Sequence, residues 1–211
     1  VQTLSEEQRR FFEQAVSTYV NDLVGDTSAQ GYLASRGLGP SALVTYRLGV
    51  VRRPLAGHEQ YAGRLAIPYL TPAGVVNIRF RCLASHECDG HPKYLSADGA
   101  GTNLFNVLDL KKDSPFICVA EGEIDTMSLS LAGLPAVGVP GVDAWQKHFS
   151  RCLEDFEVIY AFGDGDKAGS KFASFLARET RARPIRMPPG DDCNSLYVKG
   201  GADALRRLLQ D

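Results

Sequence analysis

The chain's 211 residues predict an α+β N-terminal subdomain over 1–112, followed by an α/β domain over 113–211 with a mainly parallel sheet. Three observations carry this. After Pro115, short apolar runs alternate with amphipathic stretches through short loops, the pattern of parallel strands joined by crossover helices. Before it, helical patterns come first, and then two strand-like segments flank the turn Thr71-Pro72-Ala73-Gly74. The polar run Lys111-Lys112-Asp113-Ser114 lies between the halves as a linker would.

The first helix is expected over 5–24. Ser5 and Gln8 have capping-box spacing, and Phe11, Phe12, Ala15, Val16, Tyr19, Val20 and Leu23 fall on one apolar stripe. A small helical unit covers 32–38, and Pro40 opens another that runs out near Gly49. Strands are expected over 65–70 and 75–81, and the polar, Gly-rich stretch 84–102 reads as loop. In the second half, strands are expected over 116–120, 136–139, 158–162 and 184–187. The uninterrupted apolar run at 116–120 is what a strand covered on both faces requires. Helices are expected over 123–132, 143–153, 167–180 and 201–210.

Hydrophobic residues make up 44% of the chain, enough for a packed core, yet none of its apolar runs nears the ~20 residues that span a membrane. The residues 5–10 are charged and polar, unlike a signal peptide, so a membrane role is not expected. A net charge of −2 excludes coating nucleic acid by bulk charge, and any such contact must use a local basic patch. Five cysteines, an odd number with no secretory signal, fit a reducing cytoplasm better than a disulfide framework.

Three predicted strand ends carry acids. They are Glu121-Gly122-Glu123-Ile124-Asp125, Gly163-Asp164-Gly165-Asp166-Lys167 and Gly190-Asp191-Asp192-Cys193-Asn194. Ligands of open α/β sheets bind at such ends. Clustered carboxylates repel one another, and a hard divalent cation removes that cost. Mg2+ or Mn2+ suits oxygen ligands and also binds phosphate oxygens. The bland alternative is that these acids only cap helices or form tight turns; three acidic strand ends in one array weigh against it. Asp164-Gly165-Asp166 opens like an EF-hand loop, but Ala168 and Phe175 stand where ligands are required. Walker A and G-x-S-x-G sequences do not occur.

The spacing of Glu121-Gly122-Glu123-Ile124-Asp125 and Asp164-Gly165-Asp166-Lys167-Ala168-Gly169 resembles the Toprim signature, and the rest of the chain from about residue 28 resembles a DnaG-type primase core of phage-like, compact form. The carrying segments are Tyr32-Leu33-Ala34-Ser35-Arg36-Gly37-Leu38, Gly63-Arg64-Leu65-Ala66-Ile67-Pro68-Tyr69, Asn77-Ile78-Arg79-Phe80-Arg81 and His91-Pro92-Lys93-Tyr94-Leu95-Ser96. The resemblance implies synthesis of RNA primers on single-stranded DNA by metal-dependent nucleotidyl transfer. It assigns catalysis to Glu121, Asp164 and Asp166, and metal binding to these with Asp192. It gives Arg64, Arg79, Arg81, Lys93 and Tyr94 to nucleotide or template, and supporting places to Asp125, Lys167 and Asn194. The family's acid at the last position is replaced here by Asn194, and its basic residue after the next Phe by Asn106.

The implied partners are single-stranded DNA and ribonucleoside triphosphates. A zinc-binding domain and a replicative helicase would lie on other chains or missing segments, in a bacterial cell or phage-infected host. The family's zinc-ribbon Cys-x2-Cys pairs do not occur before Cys82. Cys82, His86, Cys88 and His91 match no standard zinc spacing, so zinc is not expected in this chain. The other readings are a Toprim nuclease and a non-catalytic DNA-binding factor of replication or recombination.

Overall fold

The computed structural model describes residues 4–83 and 90–210, which form two compact units, Val1–Gly101 and Thr102–Asp211. In the first, helix α1 (Glu6–Val24) is capped as expected, with the Gln8 amide donating to Ser5 Oγ at 3.1 Å and Ser5 N to Gln8 Oε1 at 2.9 Å. Helix α2 (Thr27–Ser35) starts earlier than residue 32, because Asp26 accepts from the Ala29 amide and caps it. Helix α3 (Pro40–Thr45) ends at Tyr46, and Arg47 turns the chain with φ 50° into strand β1 (Gly49–Val50).

Strands β2 (Leu65–Thr71) and β3 (Gly74–Arg81) form the expected hairpin. Strand β4 (Tyr94–Ser96) lies inside the stretch expected to be loop; it pairs with β3, Arg79 opposite Ser96 and Arg81 opposite Tyr94. The antiparallel sheet β1-β2-β3-β4 carries α1 on one face, where Phe12, Val16 and Tyr19 pack with Ala66, Ile78 and Phe80. His58 is buried in this core and its Nδ1 meets Tyr19 Oη at 2.8 Å.

In the second unit, strands β5 (Phe116–Ala120), β6 (Ala136–Gly138), β7 (Val158–Phe162) and β8 (Arg183–Ile185) form a parallel sheet of order β6-β5-β7-β8. Alternation sends Ile117, Val119, Ile159 and Ala161 to one face, against Phe172 and Leu176 of α5 (Lys167–Glu179). Cys118, Ala120 and Phe162 go to the other, against Leu129 of α4 (Glu123–Leu131) and Leu205 of α6 (Cys193–Arg207). The sheet is thus covered on both faces, as the apolar runs require. No helix among the described residues is long and apolar enough to cross a membrane.

Three further expectations change. Residues 143–153 form two 3-10 segments, Val142–Ala144 and Lys147–Leu153, rather than one α-helix. Trp145 and Gln146 between them are extended, which puts the Trp145 ring against Phe149 and Phe175 in the core. Helix α6 starts at Cys193, well before residue 201, and breaks at Gly201 with φ 63°. Residues 104–111 pack in the second unit ahead of residue 113. Phe105 exchanges backbone hydrogen bonds with Gly138, Leu104 enters the core, and Asp109 accepts from the Ala136 amide and the Ser130 hydroxyl.

Candidate active site

The strand order β6-β5-β7-β8 reverses direction between β5 and β7, since β5 leads through α4 to β6 on one side and β7 through α5 to β8 on the other. A crevice opens at the carboxyl ends of strands where such an order reverses. Ala120 and Phe162 are register partners at these ends, so Glu121 and Gly163 leave the sheet side by side.

Two of the acids are held by their helix starts. Asp166 is the N-cap of α5, its Oδ1 accepting from the Gly169 amide at 2.8 Å. Asp192 caps α6 in the same way, its Oδ1 accepting from the Ser195 amide at 2.6 Å. The bland reading of these two residues is therefore correct for one oxygen of each. The turn between Asp164 and α5 is tight. A Cβ at Gly163 would fall 2.0 Å from the Gly169 carbonyl oxygen, and one at Gly169 2.1 Å from the Asp164 amide nitrogen.

Glu121 differs, because no helix N-terminus satisfies it. Its Oε2 is buried without a hydrogen-bond partner among the described residues. Burial, then the charges of Asp164 and Asp166, push its pKa above the usual carboxylate range. Asp125 lies deeper. Burial foremost, then Asp192 and more weakly Asp164, push its pKa up to about 7, although its Oδ1 accepts from the Asn194 amide at 2.9 Å. Asn194 is buried and its Nδ2 donates to Ser128 Oγ, so it ties α6 to α4 beside Asp192.

The acids are thus electrostatic neighbours but not a closed cage: no three or more His, Cys, Asp or Glu side chains among the described residues surround one ion. That arrangement fits a hard cation that keeps waters and takes one or two carboxylates plus substrate phosphates. The orphaned Glu121 oxygen is the feature a bound cation would satisfy.

The expected nucleotide-binding cations lie in the first unit. Arg79 and Arg81 both lie over Tyr94, 4.8 and 5.1 Å from its ring centroid, and Arg81 is buried. Arg81 also faces Tyr32 at 5.5 Å and donates to the Tyr94 hydroxyl. The Tyr94 ring, expected at the nucleotide or template, therefore already carries two guanidinium groups. Arg64 donates to the Pro92 and Lys93 carbonyls at 3.0 and 3.4 Å and fixes the segment from which the exposed Lys93 projects. Cys82 Sγ and His91 Nε2 are 3.2 Å apart, while His86 and Cys88 lie outside the described residues. Asn106, in the family's basic position, is buried and donates to the Ala136 carbonyl.

Sequence reasoning did not find Tyr32 as a partner of Arg81, nor Ser128 as the anchor of Asn194. Nothing in a linear pattern signals either contact. The cap pair Asp192 and Ser195 was readable and marks the true start of α6.

A Toprim-like family model matches residues 118–197, which contain all the acids discussed. The Gene 57 protein of Mycobacterium phage D29 is 39% identical over 151 residues, spanning 69% of this chain and 97% of that protein. The DNA primase of Thermotoga maritima is 22% identical over 96% of this chain, which corresponds to only 43% of that protein. The fold resembles the crystal structure of the RNA polymerase domain of Mycobacterium tuberculosis primase DnaG, with a TM-score of 0.81 at 22% identity, covering 98% of this chain and 84% of that one.

Proposed function

The chain belongs to the DnaG-type primase family and carries its Toprim domain, and from that premise we propose that it is a primase catalytic core that joins ribonucleotides on a single-stranded DNA template. The observation that carries the reading is Glu121. Its carboxylate has an unsatisfied buried oxygen beside Asp164 and Asp166, at the point where the strand order reverses.

Glu121, Asp164, Asp166 and Asp192 would hold Mg2+ or Mn2+. When bound, such ions lower the pKa of a hydroxyl nucleophile and neutralise a leaving pyrophosphate. The chain's own residues do the rest. Asp166 and Asp192 are fixed by their caps, so their second oxygens are pre-aimed. Glu121, with its raised proton affinity, is suited to take the proton from an attacking 3′-hydroxyl. Asp125 and Asn194 set the position of Asp192 through the α4–α6 tie. Arg79, Arg81 and Lys93, presented by β3 and the segment before β4, are assigned to nucleotide or template phosphates, where guanidinium groups offer a planar fork.

A zinc-binding domain and a replicative helicase are assigned as partners on other chains or segments, and the place of action as the cytoplasm of a bacterial or phage-infected cell. The test is incubation with labelled ribonucleotides, Mn2+ and single-stranded DNA, with and without a separate primase zinc domain. Oligoribonucleotides should appear in at least one condition and vanish in Asp166→Ala. Cleavage of the DNA without any synthesis would instead identify a nuclease.

A further inference from the structure

The acidic centre has a cationic neighbour in its own unit. A groove of about 550 Å3 opens beside Asp164 and Asp166, between α5 and the residues that follow β8. Lys167 and Lys171 line one wall and Arg186 the other. Lys167 and Lys171 are four residues apart on α5 and share one face, and Arg178 continues that face down the helix. All four cations are exposed. The side chains of Lys167, Lys171 and Arg186 make no ion pair or hydrogen bond with any described residue.

Two features argue against an ordinary solvated face. Lys167 opens the first turn of α5, where the helix dipole disfavours positive charge. The segment 167–186 holds Lys167, Lys171, Arg178, Arg181, Arg183 and Arg186 against Glu179 alone, in a chain whose net charge is −2. Arg181 is occupied by the Glu154 and Phe156 carbonyls, which leaves the others for an outside anion. The stripe from Lys167 to Arg178 runs about 16 Å along the helix. That exceeds the reach of one triphosphate and suits a chain of phosphates.

We propose that this groove is a track for the sugar–phosphate backbone of a nucleic-acid strand that adjoins the acidic centre. The proposal deepens the primase reading and rests on it for the identity of the strand, which is either template DNA or nascent RNA.

The test is fluorescence anisotropy on the whole chain without nucleotides. The probes are a labelled single-stranded DNA and the same DNA annealed to a short RNA, each titrated at several salt concentrations. Lys171→Glu/Arg186→Glu is compared with Arg10→Glu/Arg151→Glu, an equal charge change outside the groove. Tenfold or greater weakening relative to that control is expected for at least one probe. The slope of log affinity against log salt should flatten by ~0.7–0.9 for each phosphate that the variant no longer neutralises. Weakening on both probes assigns the track to the template, and weakening on the hybrid alone to the RNA. If thermal melting shows that the double-Glu variant does not fold, Lys171→Ala/Arg186→Ala is read in its place.

Affinities equal to the control for both probes overturn the proposal. It is also overturned if strand affinity is unchanged while the thermal shift produced by tripolyphosphate disappears, since the groove would then hold a nucleotide's phosphates. A chain that makes primers although Lys171→Glu/Arg186→Glu behaves like the control sinks the track alone. A chain that binds through the groove yet never joins ribonucleotides sinks the primase reading alone.

Discussion

Asp125 is a carboxyl that the second unit holds at a cost. With its pKa pushed up to about 7, the folded state prefers it protonated, whereas the unfolded chain ionises it near pH 4. The folded state therefore binds the extra proton in that window, and stability falls as pH rises through it. The cost is complete above about pH 7 and is on the order of 4 kcal/mol at ~1.4 kcal/mol per pH unit. Asp125→Asn keeps an oxygen to accept from the Asn194 amide but removes the charge. In metal-free buffer it should melt higher than the parent at pH 8, and the gap should close as pH falls toward 4. Equal melting curves at pH 8 would show that Asp125 is not strained. Glu121 is shifted in the same direction, so protons compete with metal there. Mn2+ affinity, followed by electron paramagnetic resonance, should weaken as pH is lowered, and Glu121→Gln should lose part of that pH dependence. An identical pH dependence in the parent and in Glu121→Gln would remove Glu121 from the ligands.

At the scale of elements, the turn from β7 into α5 decides the geometry of the centre. Gly169→Ala would place a carbon against the Asp164 backbone, which cannot rotate away as a flexible side chain would. Destabilisation of about 3 kcal/mol is expected, or a melting temperature lower by roughly 6–12 °C. A drop under 2 °C would mean that the turn is looser than described. The elements also show what a sequence reveals and what it hides. Strand β5 was legible because an uninterrupted apolar run admits few other fates, and α1 because its cap and its stripe agree. Residues 143–153 misled because Trp145 and Phe149 sit at helical spacing, yet Trp145 reaches the core only when the chain straightens at Gln146. Strand β4 was missed because three residues paired to a distant strand leave no periodicity. Among the site residues, acids at strand ends were readable because a parallel sheet gathers such ends. The partners of Arg81 and Asn194, and the cations facing each other across the groove, depend on which elements become neighbours in space.

At the scale of the whole chain, a net charge of −2 and clustered cations make any nucleic-acid affinity a local electrostatic effect. Single-stranded DNA should bind weakly at physiological salt, and raising the salt from 50 to 200 mM should weaken it at least tenfold. An affinity insensitive to salt would point to stacking in place of phosphate contacts. The central claim is more local than this: carboxylates from three strand ends of one sheet share divalent ions. Isothermal titration of the intact chain with Mn2+, beside Glu121→Gln and Asp166→Asn, tests it most directly. Saturable binding by the parent, weakened at least tenfold in both variants while their folds persist, is the outcome expected. Equal Mn2+ binding by all three proteins, or none by the parent at millimolar metal, would contradict it.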